Sequence, residues 1–193
     1  MKLDKDYWQE RWESENTPWD IGYSSPAIVN YMIEQVSKDA KILIPGCGNA
    51  YEAEDLMAKG FSNIHIVDLS PSAISSFKKR VPNFPQEQIH CADFFKLEGT
   101  YDVIIEQTFF CALDPSMREA YASKMNELLA PGAKLIGLMF NIPLNDDKPP
   151  FGGNKLEYTS IFETYFEILE MEVTQDSIKP RMGTELFICL EKK

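Results

Sequence analysis

The sequence predicts a single α/β domain built on a doubly wound, seven-stranded mixed sheet. Three observations carry this prediction. Apolar runs of strand length alternate with helical periodicities five times along the chain. The final two apolar runs, 166–175 and 184–191, are joined by a short segment without a helix, 176–183, so they should pair antiparallel. The stretch Lys41 to Asp68 reads as strand, tight Pro45-Gly46-Cys47-Gly48 turn, helix and strand, the repeating unit of an open parallel sheet. The expected strand order is 3-2-1-4-5-7-6, with strand 7 antiparallel.

Taken in order, residues 4–15 form a charge-rich helical candidate with Trp8 and Trp12 four apart on one face, and Trp19 follows in Thr17-Pro18-Trp19-Asp20. Ser25-Pro26 opens a helix that runs to Val36, serine as N-cap and proline at the first helical position. Ile42-Leu43-Ile44 is the first strand; the helix after its turn closes at Gly60, and the second strand ends on Asp68. Ser70-Pro71 repeats the helix start, running to about Val81, and short strands follow at 88–91 and 101–106. Asp114-Pro115 opens a helix stopped by Pro131-Gly132, and 134–140 is a strand apolar at nearly every position. Residues 141–157, with three prolines and two glycines, form the one long loop, a candidate functional cover. Residues 159–166 are the last predicted helix.

Composition narrows the partners. With 193 residues the chain is long enough for one substantial core. Its formal net charge of -11 and the absence of a basic stripe longer than Lys78-Lys79-Arg80 argue against nucleic acid. Cys47, Cys91, Cys111 and Cys189 lie far apart, without a Cys-x-x-Cys pair or a histidine cluster, so neither zinc nor disulfides are indicated; they read as reduced, mostly buried thiols. No apolar run approaches membrane-spanning length, and the N-terminus lacks a leader-like apolar region. A cytoplasmic monomer acting on a small molecule is the expectation.

The central unit suggests what that chemistry involves. Gly46 and Gly48 let the backbone close on a ligand, and Asp68, 20 residues beyond Gly48, offers two acceptors to a ribose diol. A dinucleotide turn would place a third glycine where Tyr51 stands, and Glu52, Glu54 and Asp55 would repel a pyrophosphate from the helix start. A nucleoside cofactor with a positive centre and no phosphate fits better, and S-adenosylmethionine is such a molecule. An ordinary buried strand with a glycine turn and a helix-capping aspartate would look similar. The three tryptophans fit either a cover over something flat or cationic or plain apolar anchors, and both roles are compatible.

Several motifs together are more specific: Trp8, Trp12 and Thr17-Pro18-Trp19-Asp20; Ile44-Pro45-Gly46-Cys47-Gly48; Val67-Asp68-Leu69-Ser70; Ala92-Asp93-Phe94-Phe95; Thr108-Phe109-Phe110-Cys111-Ala112-Leu113; and Pro149-Pro150-Phe151. In these the chain resembles the class I S-adenosylmethionine-dependent methyltransferases, and within them the thiopurine S-methyltransferase family, especially its halide and thiol branch. The resemblance spans about Tyr7 to Leu190. It implies one methyltransferase domain over 1–193, with 1–24 covering the cofactor. It implies a cofactor site of Trp8, Trp12, Trp19, Gly46, Cys47, Gly48, Asp68, Leu69, Asp93, Phe94 and Gln107. Asp68 would hold the ribose hydroxyls, and Asp93 with Phe94 would meet the adenine. Gln107, Phe140-Asn141 and Lys148 depart from the branch's usual tyrosine, Tyr-Pro and glycine, which bears on the acceptor rather than the cofactor.

Methyl transfer from a sulfonium needs an aligned nucleophile and excluded water, and a proton acceptor only if the nucleophile arrives protonated. His65 and His90 sit inside strands and read as structural. Glu106 to Cys111, at the end of the fourth strand, is mostly aromatic and uncharged, suiting a soft, already anionic nucleophile: a thiol, sulfide, halide or thiocyanate. Acceptor-pocket candidates are Phe110, Cys111, Phe140, Phe151 and Arg118, with Arg118 read first as solvent-facing and Lys179 and Arg181 as outside candidates. Cys47 and Cys111 read first as small buried groups. No metal is expected. An O- or N-methyltransferase, a nicotinamide-dependent oxidoreductase and a non-catalytic cofactor-binding module are the alternatives.

Overall fold

The computed structural model describes residues 2–193. Its seven strands are β1 (Ile42–Pro45), β2 (Ile64–Asp68), β3 (Ile89–Cys91), β4 (Tyr101–Gln107), β5 (Leu129–Phe140), β6 (Phe166–Val173) and β7 (Glu185–Lys192). They form one sheet in the order β3-β2-β1-β4-β5-β7-β6. β7 runs antiparallel to both its neighbours, and the other pairs are parallel. Fold class, order and the antiparallel strand match the sequence expectation.

The helices are α1 (Lys5–Glu13), α2 (Pro26–Gln35), α3 (Tyr51–Ala58), α4 (Pro71–Arg80), α5 (Arg118–Leu128) and α6 (Lys155–Phe162). Side-chain alternation along the strands feeds two cores. Ile42 and Ile44 of β1 and Ile64 and Ile66 of β2 face Ile28, Met32, Leu56 and Phe77 from α2, α3 and α4. Leu43, Val67 and Ile104 face Tyr121, Met125 and Phe162 from α5 and α6 on the other side. This two-sided cover is why the strands read as nearly continuous apolar runs.

Two boundaries differ from expectation. β5 begins at Leu129, not 134, because Tyr101 pairs with Leu129 and Val103 with Lys134. Pro131 and Gly132, the latter at φ +72°, therefore end the helix as expected but are carried within an irregularity at the start of the strand. The last helix runs 155–162, because Asn154 caps it by accepting from the Glu157 N–H at 3.0 Å. Asp114-Pro115 opens a 3-10 turn at 115–117 before α5 proper. Of the thiols, Cys111 and Cys189 are buried, Cys47 is half-buried and Cys91 is exposed.

Candidate active site

The site lies at the carboxyl ends of β1, β2, β4 and β5, where an open α/β sheet binds ligands. Gly46 and Gly48 adopt φ of +57° and +52°, a conformation that disfavours any side chain. The turn they make puts the Gly48 N–H 2.9 Å from Asp68 Oδ2, while Ser70 N–H donates to Oδ1 at 2.8 Å. Asp68 is buried at the end of β2. Burial pushes its carboxyl above the usual range, and the backbone N–H bonds from Ser70 and Gly48 pull it partly back. Each oxygen keeps lone-pair capacity for a further donor, as a ribose diol requires.

The N-terminal segment is fastened over this turn. Gln9 of α1 accepts from Ser70 Oγ at 2.8 Å and from Ser72 N–H at 3.1 Å, and it donates to Ser72 Oγ at 2.6 Å. The tryptophans cluster edge to face, Trp8 on Trp19 at 5.6 Å and Trp12 on Trp19 at 6.3 Å. Trp12 reaches within 3.1 Å of where a Gly48 Cβ would stand. All three remain half-buried. The acidic start of α3 serves this attachment: Glu52 accepts from Ser25 N–H at 2.9 Å and Asp55 from Ser24 Oγ at 2.8 Å. Glu54 pairs instead with Arg80 at 2.7 Å.

Asp93 caps a short turn by accepting from Phe95 N–H at 3.0 Å. Phe94 is buried against Phe95 and Phe109, each at 5.2 Å. Phe109 lies against Gly46, where a Cβ would come within 2.3 Å of its ring. Cys47 and Leu69 are half-buried beside the turn and Asp68. Gln107 ends β4 with its Oε1 buried and without a partner. An unpaired acceptor, a carboxylate with spare lone pairs and aromatic faces that attract a cation together fit a ribose-bearing sulfonium.

Beyond Gln107 the chain turns through Thr108, a non-glycine residue at φ +58°. Glu106 holds this turn: its Oε1 accepts from Phe109 and Phe110 N–H at 2.8 and 2.9 Å, and its Oε2 accepts from the Tyr121 hydroxyl. Burial raises the Glu106 carboxyl to about 7 despite these bonds. A small cavity opens beside it, lined in part by Phe110, Cys111, Phe140, Tyr158 and Glu185. Its volume of about 10 Å³ has room for about one water-sized group. Burial pushes the Cys111 thiol up to about 12, which keeps it protonated and a poor nucleophile.

The five acceptor candidates do not all converge. Phe110, Cys111 and Phe140 border the small cavity; Arg118 and Phe151 line a different pocket of about 400 Å³ under the 141–154 loop. Arg118 is 5% exposed, not solvent-facing. It pairs with Glu157, donates to Gly152 O at 2.7 Å and lies over the Phe110 ring at 4.9 Å, so it braces the loop. Phe151 N–H donates to Cys111 O at 2.7 Å and seats the same loop. Lys179 is exposed, whereas Arg181 comes into the site. Sequence periodicity gives no sign of Glu106 or Glu185 at the cavity; the one signal is a charge inside an otherwise buried strand.

His65 and His90 pair with each other, Nδ1 to Nε2 at 3.1 Å, on β2 and β3, and His65 Nε2 meets Asn63 Oδ1 at 3.1 Å. Neither lines the cavity. Among the described residues, no group of three or more His, Cys, Asp or Glu is placed to hold a metal ion, and no helix is long and apolar enough to cross a membrane.

A sheet of this order, with a glycine turn after β1 bonded to a buried acidic residue at the end of β2, together with the family match that follows, defines the class: the protein is a class I S-adenosylmethionine-dependent methyltransferase. The chain matches the thiopurine S-methyltransferase family over residues 3–192 and belongs to that family. It is 33% identical over 186 residues to the probable thiol methyltransferase 2 of Arabidopsis thaliana, covering 92% of this chain and 81% of the relative. It is 31% identical over 189 residues to thiocyanate methyltransferase 1 of the same plant, with the same coverage. Its fold superposes on the Burkholderia thailandensis 1,6-didemethyltoxoflavin-N1-methyltransferase, solved with S-adenosylhomocysteine, at a TM-score of 0.78. That match is 13% identical and covers 98% of this chain and 87% of the other.

Proposed function

We propose that the protein methylates a small, soft nucleophile: a thiol, sulfide, halide or thiocyanate. The observation that carries this reading is the acceptor cavity, small and walled by Phe110, Phe140, Tyr158 and Cys111 at the ends of β4 and β5. Its aromatic walls favour a polarisable atom, and its size favours a small one. The thiol and thiocyanate methyltransferases among the relatives act on nucleophiles of this kind by name.

When bound, S-adenosylmethionine supplies an electrophilic methyl group on a sulfonium. Asp68 would hold the ribose hydroxyls, with Gly48 and Ser70 N–H fixing its carboxylate. Gly46, Cys47, Leu69, Asp93, Phe94 and the Gln107 Oε1 would line the remainder of the cofactor cleft. Residues 1–24 would act as its cover, as part of one domain over 1–193, with Trp8, Trp12 and Trp19 excluding water and facing the positive centre. The chain would act as a monomer without metal, nucleic acid or membrane, and its four free cysteines suit the reducing cytoplasm.

The test is formation of S-adenosylhomocysteine with bisulfide, an aromatic thiol, iodide, thiocyanate, a catechol and an aliphatic amine. Turnover is expected with the thiols and inorganic anions, and turnover of only the catechol or amine would refute the reading. Replacing both histidines is expected to leave thiol methylation in place.

A further inference from the structure

The acceptor cavity contains a feature that a purely apolar pocket lacks. Glu185, at the start of β7 and opposite Phe140 of β5, is 2% exposed and lines the cavity. Its Oε1 pairs with Arg181 Nη1 at 3.3 Å. Its Oε2 is buried and has no hydrogen-bond partner. Leaving a buried carboxylate oxygen without a donor is costly, so a site that presents one is built to receive a donor.

The surrounding charges say which donor. Arg181 is engaged three ways: with Glu185, with Trp19 O through Nη2 at 3.1 Å, and over the Phe140 ring at 5.4 Å. Its positive charge is thus answered before any ligand arrives. The other carboxyl bordering the cavity, Glu106, has both oxygens occupied by Phe109, Phe110 and Tyr121. The cavity therefore offers one free acceptor and no net positive charge. That environment favours a small group bearing a hydrogen and disfavours a bare anion.

We propose that Glu185, through its free Oε2, accepts a hydrogen bond from the methyl acceptor. It would thereby select protonated sulfur nucleophiles, such as hydrogen sulfide and short thiols, over iodide and thiocyanate, which carry no hydrogen; on methyl transfer the S–H proton would pass to the same oxygen. The inference rests on the proposed function and narrows its substrate class. Glu185 is a specificity-determining residue for the acceptor, and Arg181 and Phe140 hold it in place. Removing its negative charge leaves the Arg181 cation, just behind Glu185 and Phe140, without its counter-charge, so the same change should weaken a thiol and strengthen an anion.

The test uses the full chain saturated with S-adenosylhomocysteine, so that no turnover occurs, and measures ethanethiol and thiocyanate binding by calorimetry. The wild-type protein is expected to bind ethanethiol at least about tenfold more tightly than thiocyanate. In Glu185→Gln the thiol should lose about tenfold and thiocyanate should gain, with S-adenosylhomocysteine affinity unchanged. Glu185→Asp, which keeps the Arg181 charge pair but withdraws the oxygen, should weaken the thiol without strengthening thiocyanate, and it serves if the glutamine variant fails to fold. Ligands that shift in parallel, or not at all, in these variants overturn the proposal. If binding discriminates as stated but neither ligand is methylated in the presence of S-adenosylmethionine, the proposed function fails while the Glu185 assignment stands.

Discussion

The Tyr121 hydroxyl donates to Glu106 Oε2 inside the core, joining α5 to the end of β4, while the other oxygen of the same carboxyl pins Phe109 and Phe110. Gly137 makes room for this arrangement: a Cβ there would stand 2.0 Å from the Glu106 carbonyl oxygen on the paired strand. One buried carboxyl thus shapes both the turn that packs on Gly46 and the small cavity at the ends of β4 and β5.

Burial raises the Glu106 carboxyl from 4.5 to about 7, so the folded state binds a proton that the unfolded chain releases. Its contribution to stability is full below about pH 4.5 and is lost as pH rises through about 7. Glu106→Gln cannot titrate. The wild-type urea midpoint should therefore fall relative to the variant's between pH 5 and pH 7.5, by an amount on the order of 2–3 kcal/mol in stability.

Asp68→Ala leaves the Gly48 and Ser70 amides without their acceptor and removes the proposed ribose partner. Affinity for S-adenosylmethionine, measured by calorimetry, should fall about 100-fold, with a smaller loss of thermal stability.

Gly46→Ala forces a side chain into a φ of +57° and against the Phe109 ring. A destabilisation of about 2 kcal/mol or more is expected. In a Gly46→Ala/Phe109→Ala double variant the collision with the ring disappears, leaving a tight 3.0 Å approach to the residue-109 Cβ and the backbone strain, so the pair of changes should be distinctly non-additive in denaturant melts.

Gln9→Ala cuts the contacts that seat α1 on the start of α4. Hydrogen exchange across residues 5–13 should accelerate, and KM for S-adenosylmethionine should rise several-fold, while exchange in the central strands stays as in the wild type.

The sheet was legible because its signals are local and redundant: apolar runs, Ser-Pro helix starts and the turn at Gly46. Boundaries failed where two signals competed. Pro131-Gly132 ends α5 and also sits inside β5, and Asn154 caps a helix earlier than the loop-rich composition of its surroundings suggests. The turn beside Asp68 was readable because two glycines after an apolar run and an aspartate at the end of the next one are a local pattern, although that pattern alone fits an ordinary capped turn as well. Arg118 was misplaced because its partners, Glu157 and Gly152, lie 39 and 34 residues away. Glu185 was missed for a related reason: its position at the cavity depends on the register between β7 and β5, which no local pattern encodes.

The bond between Trp19 O and Arg181 spans 162 residues of chain. During synthesis the tryptophan segment leaves the ribosome well before the guanidinium that holds it. That bond therefore cannot form until residue 181 has emerged, by which point β1 to β6 have already been synthesised.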